Sequence, residues 1–156
     1  MLYVGNYTAA QRKDILDAHG IRHIVNCMDV TTENYHEKNP DFTYFRFPIS
    51  HWFREAREIS SNNVETADLA VITYFDRLFA WGDPVLAQGQ NVLVHCLAGA
   101  HRAGTTGVAY LMHLEKLRYG DALPIAQGRR AQINPIGTLL QLVVRYDEAI
   151  GRRETK

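Results

Sequence analysis

Cysteine is scarce: Cys27 and Cys96 are the only two in 156 residues. So few thiols exclude the disulfide framework of a small secreted domain and favour a reducing compartment, cytoplasmic or nuclear. Long apolar runs are missing. No segment has the length to span a bilayer, and residues 1–20 lack the apolar stretch of a signal peptide, so no membrane association is expected. Net charge is missing as well, with 17 Lys and Arg against 17 Asp and Glu. That balance excludes a global pull toward nucleic acid, and any anion binding has to come from a local site. No repeat or low-complexity tract interrupts the chain.

What is present is ordinary for a globular protein: 46% of residues are hydrophobic and 22% charged, enough to build a core without metal or disulfide staples. One domain over residues 1–156, working as a monomer, is the expectation. Thr8 and Gln11 have the spacing of a capping box for a helix that carries Ile15 and Leu16 and stops at Gly20. Residues 21–28 (IRHIVNCM) and 42–49 (FTYFRFPI) read as strands, separated by a polar loop over 31–40. Residues 51–63 read as a partly helical loop region. Val64, Ala67, Val71, Ile72, Phe75, Leu78 and Phe79 recur at helical spacing over 64–81. A turn at Gly89-Gln90-Asn91 leads into a short buried strand, 92–94. Helices follow at about 103–117, from an Asp121 cap to near Arg130, and at 136–150. Strands alternating with helices predict an α/β fold, a central mostly parallel sheet flanked by helices.

The decisive segment is VLVHCLAGAHRAGTT, residues 92–106. It sets Cys96 at the C-terminal end of a buried strand and Arg102 at the start of a helix, with a tight loop between. Such a loop can curl until successive backbone N–H groups point inward and form an anion-binding nest, reinforced by the helix N-terminus. Gly99 gives it the backbone freedom to do so. A thiol in that positive potential is expected to be a thiolate and a competent nucleophile. Arginine at position 102 can grip two oxygens of a tetrahedral oxyanion at once, which lysine cannot. Leu97, Ala98, Gly99, Ala100, His101 and Arg102 are therefore the expected phosphate-binding set.

HCLAGAHRAG resembles the HCxxGxxR signature of dual-specificity protein phosphatases, within the cysteine-dependent phosphatase superfamily. The likeness extends over nearly the whole chain. LYVGNYTAA is similar to the family's opening strand, turn and helix, and IRHIVNCM to its next strand. YFDRLFAWGDPVLAQGQNVLVHC resembles the helix and strand before the nucleophile, and RRAQINPIGTLLQL the later arginine and proline segment and last helix. The resemblance implies attack by the Cys96 thiolate on phosphorus, a phosphocysteine intermediate, Arg102 and loop N–H groups on the equatorial oxygens, and hydrolysis by water. It implies that His95 orients the loop and tunes the thiolate rather than acting as a base. It implies a phosphorylated protein as substrate and no metal or other cofactor.

Three positions depart from the family pattern. The general acid, an aspartate in relatives, has no obvious counterpart. Counting back from Cys96 points to Asp68 or Glu65; counting forward from Phe47-Pro48-Ile49 points near His51, with Glu55 and Glu58 beyond. Asp68, with Glu65 as the alternative, is the expectation, because that count crosses no apparent gap. Ala103 stands where relatives carry Ser or Thr to stabilise the departing thiolate, and Thr105 and Thr106 lie further on. Ile136 stands where relatives often have a polar residue after the proline, leaving Asn134 as the side chain that supports the active-site loops.

Other readings are weaker. Gly99 and Gly104 have part of a nucleotide-loop spacing, but no Lys follows. His19 and His23 lack a third ligand for a metal. Arg129-Arg130 and Arg152-Arg153 read as solvated pairs, with Arg130 a possible attractor of anionic substrates. The loop contains no Lys, unlike phosphatases of multiply phosphorylated inositides, so protein phosphotyrosine and phosphoserine or phosphothreonine lead. A glucan phosphatase is second, motivated by Ala103 and the aromatic pair Trp52-Phe53. A pseudophosphatase that only binds phosphorylated partners is the reading from another class.

Overall fold

A computed structural model describes every residue from Met1 to Lys156. Four strands, β1 (Leu2–Gly5), β2 (Ile21–Asn26), β3 (Thr43–Arg46) and β4 (Asn91–His95), form one sheet in the order β1-β4-β2-β3. Every pairing is parallel. Gly5, His95, Asn26 and Arg46 stand in one row across it. The chain leaving each strand therefore emerges on one edge, and β4 opens between β1 and β2. In open parallel sheets that carboxyl edge is where ligands bind.

Seven helices cover the sheet: α1 (Tyr7–Gln11), α2 (Lys13–Ala18), α3 (Trp52–Glu55), α4 (Val64–Ala87), α5 (Arg102–Glu115), α6 (Tyr119–Arg129) and α7 (Gly137–Glu154). Single 3-10 turns at Ile49–His51 and Arg57–Ser60 flank α3. One large core joins Val25, Val92 and Val94 of the sheet to Phe75 and Leu78 of α4, Val108 and Tyr110 of α5, and Leu142 and Val143 of α7. A smaller cluster under α2 contains Leu16, Ile24 and Leu93.

Several local expectations shift. The first helix is capped by Asn6, whose Oδ1 accepts the Ala9 N–H at 2.9 Å, not by Thr8, and it breaks into two at Arg12. β3 stops at Arg46, where Phe47-Pro48 turns the chain into the 3-10 segment. α4 runs on past Trp81 through Gly82 and Pro84. Tertiary contacts override those breakers: Asp83 accepts hydrogen bonds from Tyr110 (2.8 Å) and His113 (2.7 Å) of α5. α6 begins at Tyr119 rather than at an Asp121 cap. Its first N–H is taken by Asp147 of α7 at 2.8 Å, and Arg118 grips that carboxylate with two bonds. No helix is long and apolar enough to cross a membrane.

Candidate active site

Cys96 follows the last residue of β4, and Arg102 is the first of α5. The five residues between them form a loop whose carbonyls are tied outward one after another. Leu97 accepts from Tyr7 N–H (3.1 Å). Ala98 and Gly99 accept from the Arg130 guanidinium (3.1 and 3.0 Å). Ala100 accepts from Asn134 N–H (2.9 Å). In a planar trans peptide the C=O and the following N–H point in opposite directions. Four outward carbonyls therefore turn the N–H groups of Ala98, Gly99, Ala100 and His101 inward. That of Gly99 lies 3.2 Å from Cys96 Sγ. Gly99 has φ +69°, and a Cβ there would come within 2.7 Å of the Gly5 carbonyl, so the turn requires glycine.

The helix behind the loop is a rigid platform. From Ala103 to Tyr110 every residue of α5 is buried. Gly107 permits close contact with Val4 of β1. Thr106 donates to the Arg102 carbonyl at 2.8 Å. Neither Thr106 nor Thr105, whose buried hydroxyl has no partner, bonds Cys96, so no hydroxyl replaces the one missing at Ala103.

Both cysteines are free, and both are buried. Cys27 sits under the sheet edge beside Thr106, 3.4 Å from its hydroxyl, and burial pushes its thiol up to about 12. It stays a neutral thiol at physiological pH. Cys96 alone faces the inward N–H groups and the helix N-terminus.

His95 is 1% exposed, with its ring stacked on Tyr7 and its Nδ1 unpartnered. Burial, aided by the charges of Arg102 and Arg46, pushes it down to about 4 from its ordinary 6.5. It is neutral at pH 7 and packs beneath the loop. Between pH 6.5 and 4 the unfolded chain holds a proton on this ring that the fold does not. Stability is therefore expected to fall as pH drops through that window, by about 3 kcal/mol in all, and to lose nothing more from this group below it. The carboxylates held low by cationic partners, such as Asp68 and Asp147, lose their contribution only at more acidic pH. Urea midpoints across pH 4–7 check this: His95→Asn should flatten the slope, and parallel curves for the two proteins would refute it.

The expected acids do not come to the loop. Both oxygens of Asp68 are held by Arg152 of α7 at 2.7 Å, and that pairing holds its carboxyl below the usual range. Both its oxygens are occupied on the side of α7 and bond nothing in the loop. Glu65 lies exposed in the first turn of α4, with no bond to any loop residue. Glu55 pairs with Arg77 at 3.4 Å, and Glu58 is exposed in its 3-10 turn. The carboxylate that does stand beside the loop is Asp29, three residues beyond β2. Its Oδ1 lies 3.2 Å from His51 Nε2 and 4.0 Å from Arg102 Nη1.

Two supporting roles also change. Asn134 braces the loop through its backbone, donating to Ala100 and accepting from His101 Nδ1 at 2.6 Å, while its side chain makes no bond. Arg130, read as a surface pair, is the residue that turns two loop carbonyls outward. Its place in RRAQINP was the available signal. His19 and His23 are spent on Ile15 and on Thr43 and Gln90, and no cluster of three ligands stands ready for a metal ion.

A thiol at the centre of an inward N–H nest, with a guanidinium at the helix start, is an arrangement that can hold an oxyanion against a sulfur. Residues 2–148 match the model of the dual specificity phosphatase catalytic domain, and the chain belongs to that family. It is 31% identical to dual specificity protein phosphatase 9 of Homo sapiens over 154 residues, which is 98% of this chain and 36% of that protein. The chain spans about a third of the length of the first curated relatives it matches. Among solved structures it superposes on human DUSP28 with a TM-score of 0.74 at 18% identity, covering 97% of this chain and 94% of that one. It superposes on the human tyrosine phosphatase-like serine/threonine/tyrosine-interacting protein with a TM-score of 0.67 at 27% identity, covering 97% and 93%.

Proposed function

We propose that this chain hydrolyses phosphotyrosine and phosphoserine or phosphothreonine on proteins, through a phosphocysteine formed on Cys96. The observation that carries the reading is the run of four outward-tied carbonyls, which leaves a nest of N–H groups around the sulfur. Cys96 Sγ attacks phosphorus, and its electron pair becomes the S–P bond. The nest and the Arg102 fork hold the equatorial oxygens, where charge builds in the transition state. His95, neutral and packed under the loop, acts by position and not as a base. Water then cleaves the S–P bond. No cofactor takes part, and the chain acts as a monomer in the cytoplasm or nucleus, with no nucleic acid or membrane as partner.

The rim supports a protein substrate. Leu97 and Ala98 at the mouth are exposed and apolar, and the loop has no lysine to pair with a second phosphate. The glucan reading loses its aromatic platform. Trp52 is 4% exposed and donates its indole N–H to Thr138 at 3.1 Å, so only Phe53 faces solvent. A phosphate-binding domain without turnover is the second reading, favoured by Ala103 and the absence of a hydroxyl on Cys96.

Phosphate release from phosphotyrosyl and phosphothreonyl peptides, with chelator present, tests the proposal. Steady phosphate release is expected, with a burst of dephosphorylated peptide before it, because the thiolate that leaves in the second step lacks its hydroxyl partner. Peptide binding with no release would move the assignment to the binding domain. Release that the chelator abolishes would refute the thiolate mechanism.

A further inference from the structure

Asp29, His51 and Arg102 come from the ends of β2, β3 and β4, and the sheet register brings them together on its carboxyl edge. Asp29 Oδ1 lies between the other two, 3.2 Å from His51 Nε2 and 4.0 Å from Arg102 Nη1. Its side chain is 49% exposed, and that of His51 is 35% exposed. The pair is therefore open to an incoming substrate rather than locked in the core. The Arg46 guanidinium, 3.4 Å from the Asp29 carbonyl, fixes the segment from the side of β3. Around the loop this is the carboxylate with a direct approach to Arg102.

A phosphate monoester gripped by Arg102 and attacked from Cys96 must expel its oxygen on the side away from the sulfur. Asp29, half-exposed beside Arg102, is the carboxylate next to a phosphate held there. We propose that Asp29 is the general acid of the first step and the general base of the second, with His51 as the positioning residue that holds its carboxyl group. The assignment rests on the phosphatase reading of Cys96 and Arg102. In the first step the sulfur lone pair forms the S–P bond. The P–O bond breaks, and its electron pair stays on the leaving oxygen, which takes the proton of the Asp29 carboxyl. In the second step a water oxygen bonds phosphorus and gives its proton to the Asp29 carboxylate. The S–P pair returns to Cys96 as a thiolate. A proton donor on a neighbouring loop acts in this way through proximity to the leaving atom.

The test compares two substrates that differ in how much they need protonation. 4-Nitrophenyl phosphate expels a stable phenolate, and phenyl phosphate does not. With chelator present, Asp29→Asn is expected to lower kcat/KM for phenyl phosphate by about 10²-fold and to change 4-nitrophenyl phosphate far less. Retained kcat/KM on the activated ester, whose leaving group needs no proton, shows that the variant folds, since loss of the base in the second step lowers kcat alone. His51→Ala should lose rate in the same leaving-group-dependent pattern but by less, and His51→Gln, which keeps an N–H donor for the carboxylate, should recover part of it. Equal losses on both esters, or no loss on phenyl phosphate, would overturn the role of Asp29. A larger loss for His51→Ala than for Asp29→Asn would overturn the division of labour. Wild-type protein that turns over neither ester, or turnover that survives Cys96→Ser, would sink the phosphatase reading itself and this assignment with it.

Discussion

Cys96→Ser is expected to lower aryl phosphate hydrolysis by at least about 10⁴-fold, leaving the fold and phosphate binding in place. The substitution exchanges one atom at the end of β4. A serine hydroxyl is a far weaker acid and a far weaker nucleophile than a thiol, so the attacking group is lost. The nest does not depend on sulfur. Its carbonyls are anchored by Tyr7, Arg130 and Asn134, none of which touches Sγ. Phosphate should therefore still protect the variant against thermal unfolding, by mass action on the folded state. Turnover within tenfold of wild type would show that Cys96 is not the nucleophile. Loss of phosphate protection together with turnover would show that the variant had lost its loop. Cys27→Ser is the companion variant. Its thiol is pushed up to about 12 and is fully buried, so turnover should persist in whatever fraction of the protein folds.

Arg102→Lys is expected to lower kcat/KM by about 10²–10³-fold, a loss of about 3–4 kcal/mol in transition-state stabilisation. Charge is conserved, so the effect isolates geometry. The guanidinium offers a planar fork that meets two phosphoryl oxygens at once, whereas an ammonium meets them as a point charge. Position 102 is the first residue of α5, where lysine is an acceptable helix former, and helix content should not change. The loss should appear in kcat as well as KM, since the equatorial oxygens gain charge on the way to the transition state. A change confined to KM would assign Arg102 to substrate capture alone.

The part of the site that was legible in the sequence is the part that is local. A buried strand, a cysteine, a short loop with one glycine and an arginine opening a helix are contiguous from residue 92 to 106. Their geometry follows from the covalent chain and the helix that succeeds it. The sheet was legible for a similar reason, since apolar strands alternating with helices leave few alternatives to parallel pairing. The residues that were missed arrive through tertiary structure. Asp29 meets Arg102 only because β2 and β4 are neighbours with Asn26 opposite His95. Arg130 reaches Ala98 and Gly99 from the far end of α6. Asp68 looked favourable by its distance along the chain. Its partner Arg152 lies in the last helix, and only the packing of α4 against α7 shows that its carboxylate is taken. Helix boundaries failed in the same way. The apolar spacing was followed only to Trp81, yet α4 runs on to Ala87, with Tyr110 and His113 bonded to Asp83 beside Pro84.

The central claim is the covalent intermediate, and rapid acid quench of the protein during hydrolysis of 4-nitrophenyl phosphate tests it most directly. Ala103 favours the measurement, because slow cleavage of the S–P bond lets the intermediate accumulate. Mass analysis of the peptide carrying Cys96 should find one added phosphoryl group, formed within the burst and absent from Cys96→Ser. Sustained turnover with that peptide unmodified, or a phosphoryl group found on another side chain, would contradict the account.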